Sequence, residues 1–282
     1  MIKHFIVTGD CHGVIAVKHR IEDIILNADY QRDEMAVIIL GDASVNFWLT
    51  SREKKEKKKL KKLGVMIYCV RGNHEERPEY LGYQLQYDEN VGGEVYVDDE
   101  NDMLRYFQDG GEYVIDGLNV LTIGGAYSVD KYYRLAAAAQ AGEEFTGWYP
   151  GEQLNDKERA DILEKVKDKY YDFIFTHTAP LAWEPTDLFL NFINQSKVDK
   201  TMEYWLQEIS ETCHWGVWCW GHYHDDRIEY PCCQMFYRSY EDIKIIWNRW
   251  YNNKTFTDDK MYFKKSPNFY ALNPNNWTEE KN

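Results

Sequence analysis

The sequence predicts an α/β protein built as a two-sheet β-sandwich flanked by helices, and three observations lead there. Short continuous runs of Val, Ile, Leu, Phe and Tyr alternate with helix-length segments between Phe5 and Val70. Such runs suit strands buried on both faces, and a βαβαβ order implies a parallel sheet with right-handed crossovers. From Glu94 to Gly125 the segments EVYVD, LRYFQ, EYVID and NVLTIGG are separated by DGG and DG turn signals. That punctuation favours antiparallel hairpins, and so a second sheet packed on the first. Alternation of helix and strand then resumes beyond Gly151.

The first strand is expected to reach about Val7, followed by a helix through VIAVKHRIEDIILNA with apolar residues at helical spacing. A second strand spans Met35–Leu40, a lysine-rich helix about Thr50–Leu63, and a third strand Val65–Val70. The basic run from Arg52 to Lys62 reads as the solvent face of a crossover helix, with Leu49, Leu60 and Leu63 turned inward. A helix over about Gly151–Lys169 leads to the strand Tyr171–Thr176. A helical region over about Asp187–Ile209 precedes the strand Gly216–Trp220. The stretch through Trp250 alternates aromatic and polar residues and is expected to return to the sheet. Trp205, Trp215, Trp218 and Trp220 fall in these elements as core residues. Residues 1–253 form one domain, and 254–282 an aromatic, Asn-rich tail.

Composition narrows the class. At 282 residues, 44% hydrophobic and 28% charged, the chain has ample length for a sizeable core. A net charge of -14 argues against stable nucleic-acid binding through a positive face. It leaves room for a small phosphorylated or nucleotide-like substrate, because bound cations dominate the local field of a metal site. The six cysteines show neither a disulfide framework nor a CxxC pair, and Cys11 and Cys69 read as small buried hydrophobes. With no signal-peptide pattern at the start and no membrane-length apolar run, a cytoplasmic location is expected.

Chemistry concentrates at the strand ends. HFIVTGDCH ends in Asp10 and His12, MAVIILGD in Asp42, and GVMIYCVRGNH in Asn73 and His74. YDFIFTH ends in His177, and WGVWCWGHYH in His222 and His224. In open α/β sheets ligands bind beyond the carboxyl ends of the strands. Five of the eight histidines sit at these ends, so the pattern delivers carboxylate, amide and imidazole groups to one edge. His4, His19 and His214 lie outside it. Gly9, Gly13, Gly41, Gly72 and Gly221 flank the ligating positions and are expected to let the backbone bend sharply there.

Asp10-x-His12, Gly41-Asp42, Gly72-Asn73-His74-Glu75, His177 and Gly221-His222-x-His224 occur in that order, and over about residues 1–230 the chain resembles the calcineurin-like metallophosphoesterases. The resemblance implies that family's four-layer fold and two metal ions about 3.5–4 Å apart. One metal would take Asp10, His12 and His224, the other Asn73, His177 and His222, with Asp42 shared. A donor set of carboxylate, amide oxygen and imidazole without thiolate suits Mn, Fe or Zn. The same resemblance implies a hydroxide bridging the ions as nucleophile and His74 as general acid, with Glu75 orienting a ligand or His74.

Arg71 before Gly72 resembles the protein-phosphatase branch, but that branch's Asp-Arg-Gly is missing from Asp42-Ala43-Ser44-Val45-Asn46-Phe47. The segment Gly124–Lys131 instead resembles a block of uncharacterised bacterial and phage-type members. Asn73, Arg134 and Lys131 are candidates for contact with the substrate phosphate. The expected function is phosphoester hydrolysis, as phosphatase or phosphodiesterase. The alternative is a metal-binding scaffold of the same fold that engages a protein partner.

Overall fold

The computed structural model describes residues 1–229 and 232–252, with the backbone of a short hairpin at Lys254–Thr257 and Lys260–Phe263. The remainder of the tail read from residue 254 lies outside the described residues.

The first strand β1 (His4–Thr8), helix α1 (Val14–Asn27), strand β2 (Met35–Leu40), helix α2 (Ser51–Leu60) and strand β3 (Met66–Val70) follow the expected order. Strands β1, β2 and β3 pair in parallel. Strands β4 (Gln84–Asp88), β5 (Gly93–Asp98) and β6 (Asn101–Phe107) come next, then β7 (Gly111–Ile115) and β8 (Leu118–Ile123). Helices α3 (Lys131–Ala141) and α4 (Asp156–Val166) lead to β9 (Tyr170–Thr176), α5 (Thr201–Thr212) and β10 (His214–Trp220). Short strands β11 (Arg227–Glu229), β12 (Cys233–Met235) and β13 (Tyr240–Asp242) precede helix α6 (Ile243–Asn252).

Two mixed sheets result. One has seven strands in the order β13-β1-β2-β3-β6-β5-β4, the other six in the order β11-β12-β10-β9-β8-β7. Alternate residues of each strand face opposite ways, so Phe5, Val7, Ile38 and Val70 join Phe173, Phe175, Val217 and Cys219 in a core between the sheets. Ile6, Val37 and Ile39 face outward under Val17, Ile21 and Ile24 of α1. Leu121, Ile174 and Trp218 are covered by Ile162 of α4 and Trp205 and Leu206 of α5. This gives helix, sheet, sheet and helix layers.

Several expectations change. The hairpin block is divided between the sheets: β5 and β6 extend the first, through parallel pairing of β6 with β3, and only β7 and β8 enter the second; β4, which precedes the block, adds an unexpected edge strand to the first. The helix expected from Asp187 begins at Thr201; short 3-10 turns at Thr186–Leu188 and Gln195–Lys197 precede it. The helix expected from Gly151 begins at Asp156, where Asn155 and Glu158 form a reciprocal capping box. The stretch to Trp250 returns to the sheets only through three short strands and then becomes α6, with Ile243, Ile246 and Trp250 in the central core.

Most lysines of α2 point to solvent, but the inward face is charged as well as apolar. Glu53, Lys57 and Leu60 are buried at helical spacing. Lys57 Nζ reaches Asp98 Oδ2 at 2.6 Å and Asn46 Oδ1 at 2.8 Å. Leu60 and Leu63 are buried, whereas Leu49 is exposed, with a left-handed backbone. All six cysteines are buried thiols outside any disulfide. No helix among the described residues is long and apolar enough to cross a membrane.

Candidate metal centre

The ends of β1, β2, β3, β9 and β10 meet at one edge because main-chain bonds tie the loops beyond them. Asp42 O accepts from Cys11 N (3.0 Å) and His12 N (2.8 Å), and His177 O accepts from Gly221 N (2.9 Å). The carboxylates add further ties. Asp42 Oδ1 accepts from His74 N at 2.8 Å, and Asp10 Oδ1 from His222 N at 2.9 Å. Each acid thus holds a loop that carries predicted ligands.

Asp10, Asp42, Asn73 and His177 form a buried floor, and His12, His74, His222 and His224 stand around the mouth. Asp10, His12 and His224 make one group of converging donor atoms, and Asp10, Asp42 and His177 another. His12 Nε2 lies 2.7 Å from His224 Nε2, and both face Asp10 Oδ2, at 3.7 and 3.2 Å. On the other side His177 Nε2 is 2.8 Å from Asn73 Oδ1 and 3.6 Å from Asp42 Oδ1. His222 joins this side with its ring centroid 5.0 Å from that of His177.

These residues fit a bound cation. His177 Nδ1 donates to Leu40 O at 3.0 Å, so in the neutral ring the Nε2 lone pair points at the Asn73 oxygen. Two electron pairs held this close repel unless a positive charge lies between them. The ring nitrogens of His12 and His224 crowd in the same way.

The backbone is strained to build the site. Eight described residues other than glycine have positive φ, and four of them are the predicted ligands His12, Asp42, His222 and His224. Strain of this kind costs about 1–3 kcal/mol per residue and gathers where function needs it. Among the flanking glycines only Gly13 and Gly41 take a positive φ; the others supply room rather than bends. A Cβ on Gly72 would lie 2.0 Å from Asp42 Oδ1, and one on Gly41 1.9 Å from His177 Nδ1.

Electrostatics favour metal-ready protonation states at Asp10, Asp42, His12 and His222, though not at His224. Burial works to raise the Asp42 carboxyl, yet His177, His74 and His12 together hold it well below the usual carboxylate range. Burial also opposes ionisation of Asp10, and the His224 hydrogen bond together with the His177 and His12 charges outweighs it. Burial pushes His222 down to about 3 and lowers His12, whereas the Asp10 hydrogen bond raises His224. Neutral imidazoles and ionised carboxylates are the forms that bind metals.

The remaining sequence candidates occupy different places. His74 is partly exposed at the mouth, with Nε2 4.0 Å from Asp42 Oδ2. The Glu75 carboxylate is bonded below the turn rather than to the His74 ring: it accepts from Gly72 N (2.9 Å) and Tyr106 Oη (2.8 Å), fixing the turn that presents Asn73 and His74. Burial pushes Glu75 up to about 8. Arg71 is buried beneath the site, bonded to Asp109 and to the carbonyl of Glu152. Arg134 bonds Asp130 at 2.7 Å and lies over the ring of Phe47, one ring removed from His74. Lys131 is set over the Trp148 ring at 4.1 Å rather than against the ligand cluster.

Three residues that the sequence reading missed complete the cluster. Asn73 Nδ2 donates to Ser128 Oγ at 2.9 Å, and Ser128 in turn bonds Glu152. This chain turns the Asn73 oxygen into the site. Ser128 lies within the Gly124–Lys131 block, which was its only signal. Tyr237 stacks on His224 at 4.8 Å between centroids, and nothing in its sequence context marks it.

No curated protein matches the chain closely enough to serve as a relative. The family model of calcineurin-like phosphoesterases matches residues 3–226, across both sheets and every ligand loop, and the chain belongs to that family.

Proposed function

We propose that this protein is a dinuclear metal-dependent phosphoric ester hydrolase, with Asp42 shared between the ions and His74 as general acid. The observation that carries the reading is the paired convergence of donors, His12 and His224 on Asp10, and His177 on Asp42 with the Asn73 oxygen beside the same ring nitrogen. Bound Mn, Fe or Zn would supply Lewis acidity and a nucleophilic water-derived oxygen at neutral pH. The chain's own residues do the rest. Asp10, His12 and His224 would hold one ion and Asn73, His177 and His222 the other.

His74 stands at the open mouth, is not needed to complete either set, and has its backbone N–H anchored on Asp42. That position suits a group that delivers a proton to the departing alcohol oxygen. Arg134, which lies over the Phe47 ring beside His74, is a cationic candidate for the ester's phosphate. A small phosphorylated or nucleotide-like substrate fits the acidic chain.

The test is metal content of the purified protein by elemental analysis, with turnover of p-nitrophenyl phosphate against bis-p-nitrophenyl phosphate in added Mn²⁺. Two metals per chain with hydrolysis of either ester support the reading. A single tetrahedral zinc without turnover rejects it.

A further inference from the structure

Next to His74 the loop after β2 raises a wall of aromatic rings. Phe47 meets the His74 ring edge-on at 6.2 Å between centroids, and Trp48 stands nearly perpendicular to Phe47 at 4.9 Å. Phe145 abuts both, at 5.5 Å from each, and Tyr149 backs Phe145 at 5.7 Å. Phe47 and Phe145 are half-buried, but Trp48 is 60% exposed. A tryptophan left in water forgoes a large apolar burial.

The loop that exposes Trp48 is held firmly. Three consecutive amides, of Phe47, Trp48 and Leu49, donate to the buried Glu53 carboxylate at 3.2, 3.0 and 2.8 Å. Tyr149 Oη donates to Phe47 O at 2.7 Å. Leu49 is held at φ 52°, a strained value for leucine. A buried carboxylate, a tyrosine and a strained residue thus fix an exposed indole beside the group assigned to protonate the leaving oxygen.

We infer that the exposed Trp48 ring, braced by Phe47, forms a stacking platform that selects phosphoesters whose alcohol portion carries a flat aromatic group, a nucleobase in particular. The inference rests on the hydrolase reading above and names its substrate class. The alcohol leaves on the His74 side, which is the side the platform occupies. Stacking on an aromatic side chain requires only a π face, so the platform discriminates a base from no base rather than one base from another.

Adenosine 5′-monophosphate and ribose 5-phosphate share the same ribose alkoxide leaving group and differ by the base. We would measure kcat/KM for both, and for their methyl diesters, in Mn²⁺-loaded protein. The wild type should favour the base-bearing ester by about 5- to 100-fold. That ratio should fall toward one in Trp48→Ala, survive in part in Trp48→Phe, and stay intact in Tyr204→Ala, which removes an equally exposed ring from α5. A far-UV spectrum like the wild type's establishes that Trp48→Ala is folded. Equal turnover with and without the base, or a ratio that survives Trp48→Ala, overturns the platform and leaves the hydrolase reading standing. No turnover of these or of p-nitrophenyl esters overturns both.

Discussion

His177 and Asn73 face each other across 2.8 Å, ring nitrogen to amide oxygen, and each is held there by its far atom. Leu40 O takes the proton on His177 Nδ1, and Ser128 Oγ takes the Asn73 amide hydrogen. The ligating atoms are therefore aimed before any metal arrives, and the groups doing the aiming can be changed without touching a ligand.

Ser128→Ala tests this aim. The methyl leaves the Asn73 amide free to rotate while the fold loses only one buried hydroxyl. Outer partners of this kind are typically worth about 10–100-fold in metal affinity or activity. Titration of metal-free protein with Mn²⁺ should show that weakening with the thermal transition little changed. Wild-type affinity would show that Asn73 needs no such support.

Asp42→Asn should cost more than the loss of any one outer ligand. Its Oδ1 accepts the His74 amide and lies 3.6 Å from His177 Nε2, while its Oδ2 is 3.7 Å from His12 Nδ1. An amide replaces one anionic oxygen by a nitrogen whose hydrogens repel a cation. Elemental analysis should find fewer than two metals per chain, and hydrolysis should fall to near background. Full stoichiometry with normal turnover would contradict a shared carboxylate.

The site was legible because parallel strands buried on both faces leave a continuous apolar run, with polar residues only where the run ends. Asp10, Asp42, His177 and His222 are each the first chemical group after such a run. The aim of those groups was not legible, since Ser128, Glu152 and Tyr237 act through contacts distant in sequence. Glu53 was hidden for another reason: it looks like one more charge in a lysine-rich helix, yet it collects three amides of the loop just before that helix. In the fold, strand β4 (QLQYD) escaped notice because an edge strand with little burial carries no apolar run. The hairpin block looked like one sheet because turn signals fix local pairing, whereas β6 chooses its sheet through β3, far away in the chain.

Glu203 of α5 sets a pH dependence separate from the metal ligands. Its Oε1 accepts from Thr178 Oγ1 at 2.7 Å, and burial pushes its carboxyl up from 4.5 to about 7. The folded chain thus holds this proton more tightly than the unfolded one. Below about pH 4 both states are protonated and the group costs nothing. As pH rises from 4.5 towards 7 the unfolded chain ionises first, so stability is lost, and the loss is complete above 7. At about 1.4 kcal/mol per pKa unit this amounts to roughly 2–4 kcal/mol. Glu203→Gln cannot titrate. In urea unfolding of metal-free protein, the stability difference between wild type and variant should move toward the wild type by that amount from pH 8 to pH 4. A flat difference would show that Glu203 is not held protonated.

His74→Ala separates the chemistry from the assembly of the metal site. His74 is carried by the same turn as Asn73, but its ring stands at the mouth, 4.0 Å from the nearer Asp42 oxygen, and neither proposed ligand set includes it. Both metals should therefore remain. General acid catalysis contributes about 10²–10⁴-fold, and its value grows with the basicity of the departing oxygen. The variant should fail badly on an alkyl phosphate, whose alkoxide needs a proton, and much less on p-nitrophenyl phosphate, whose phenolate leaves unaided. The check is kcat on both esters beside metal content by elemental analysis. Equal losses on the two leaving groups would remove His74 from the role of acid, and a metal lost with the imidazole would make it a ligand instead.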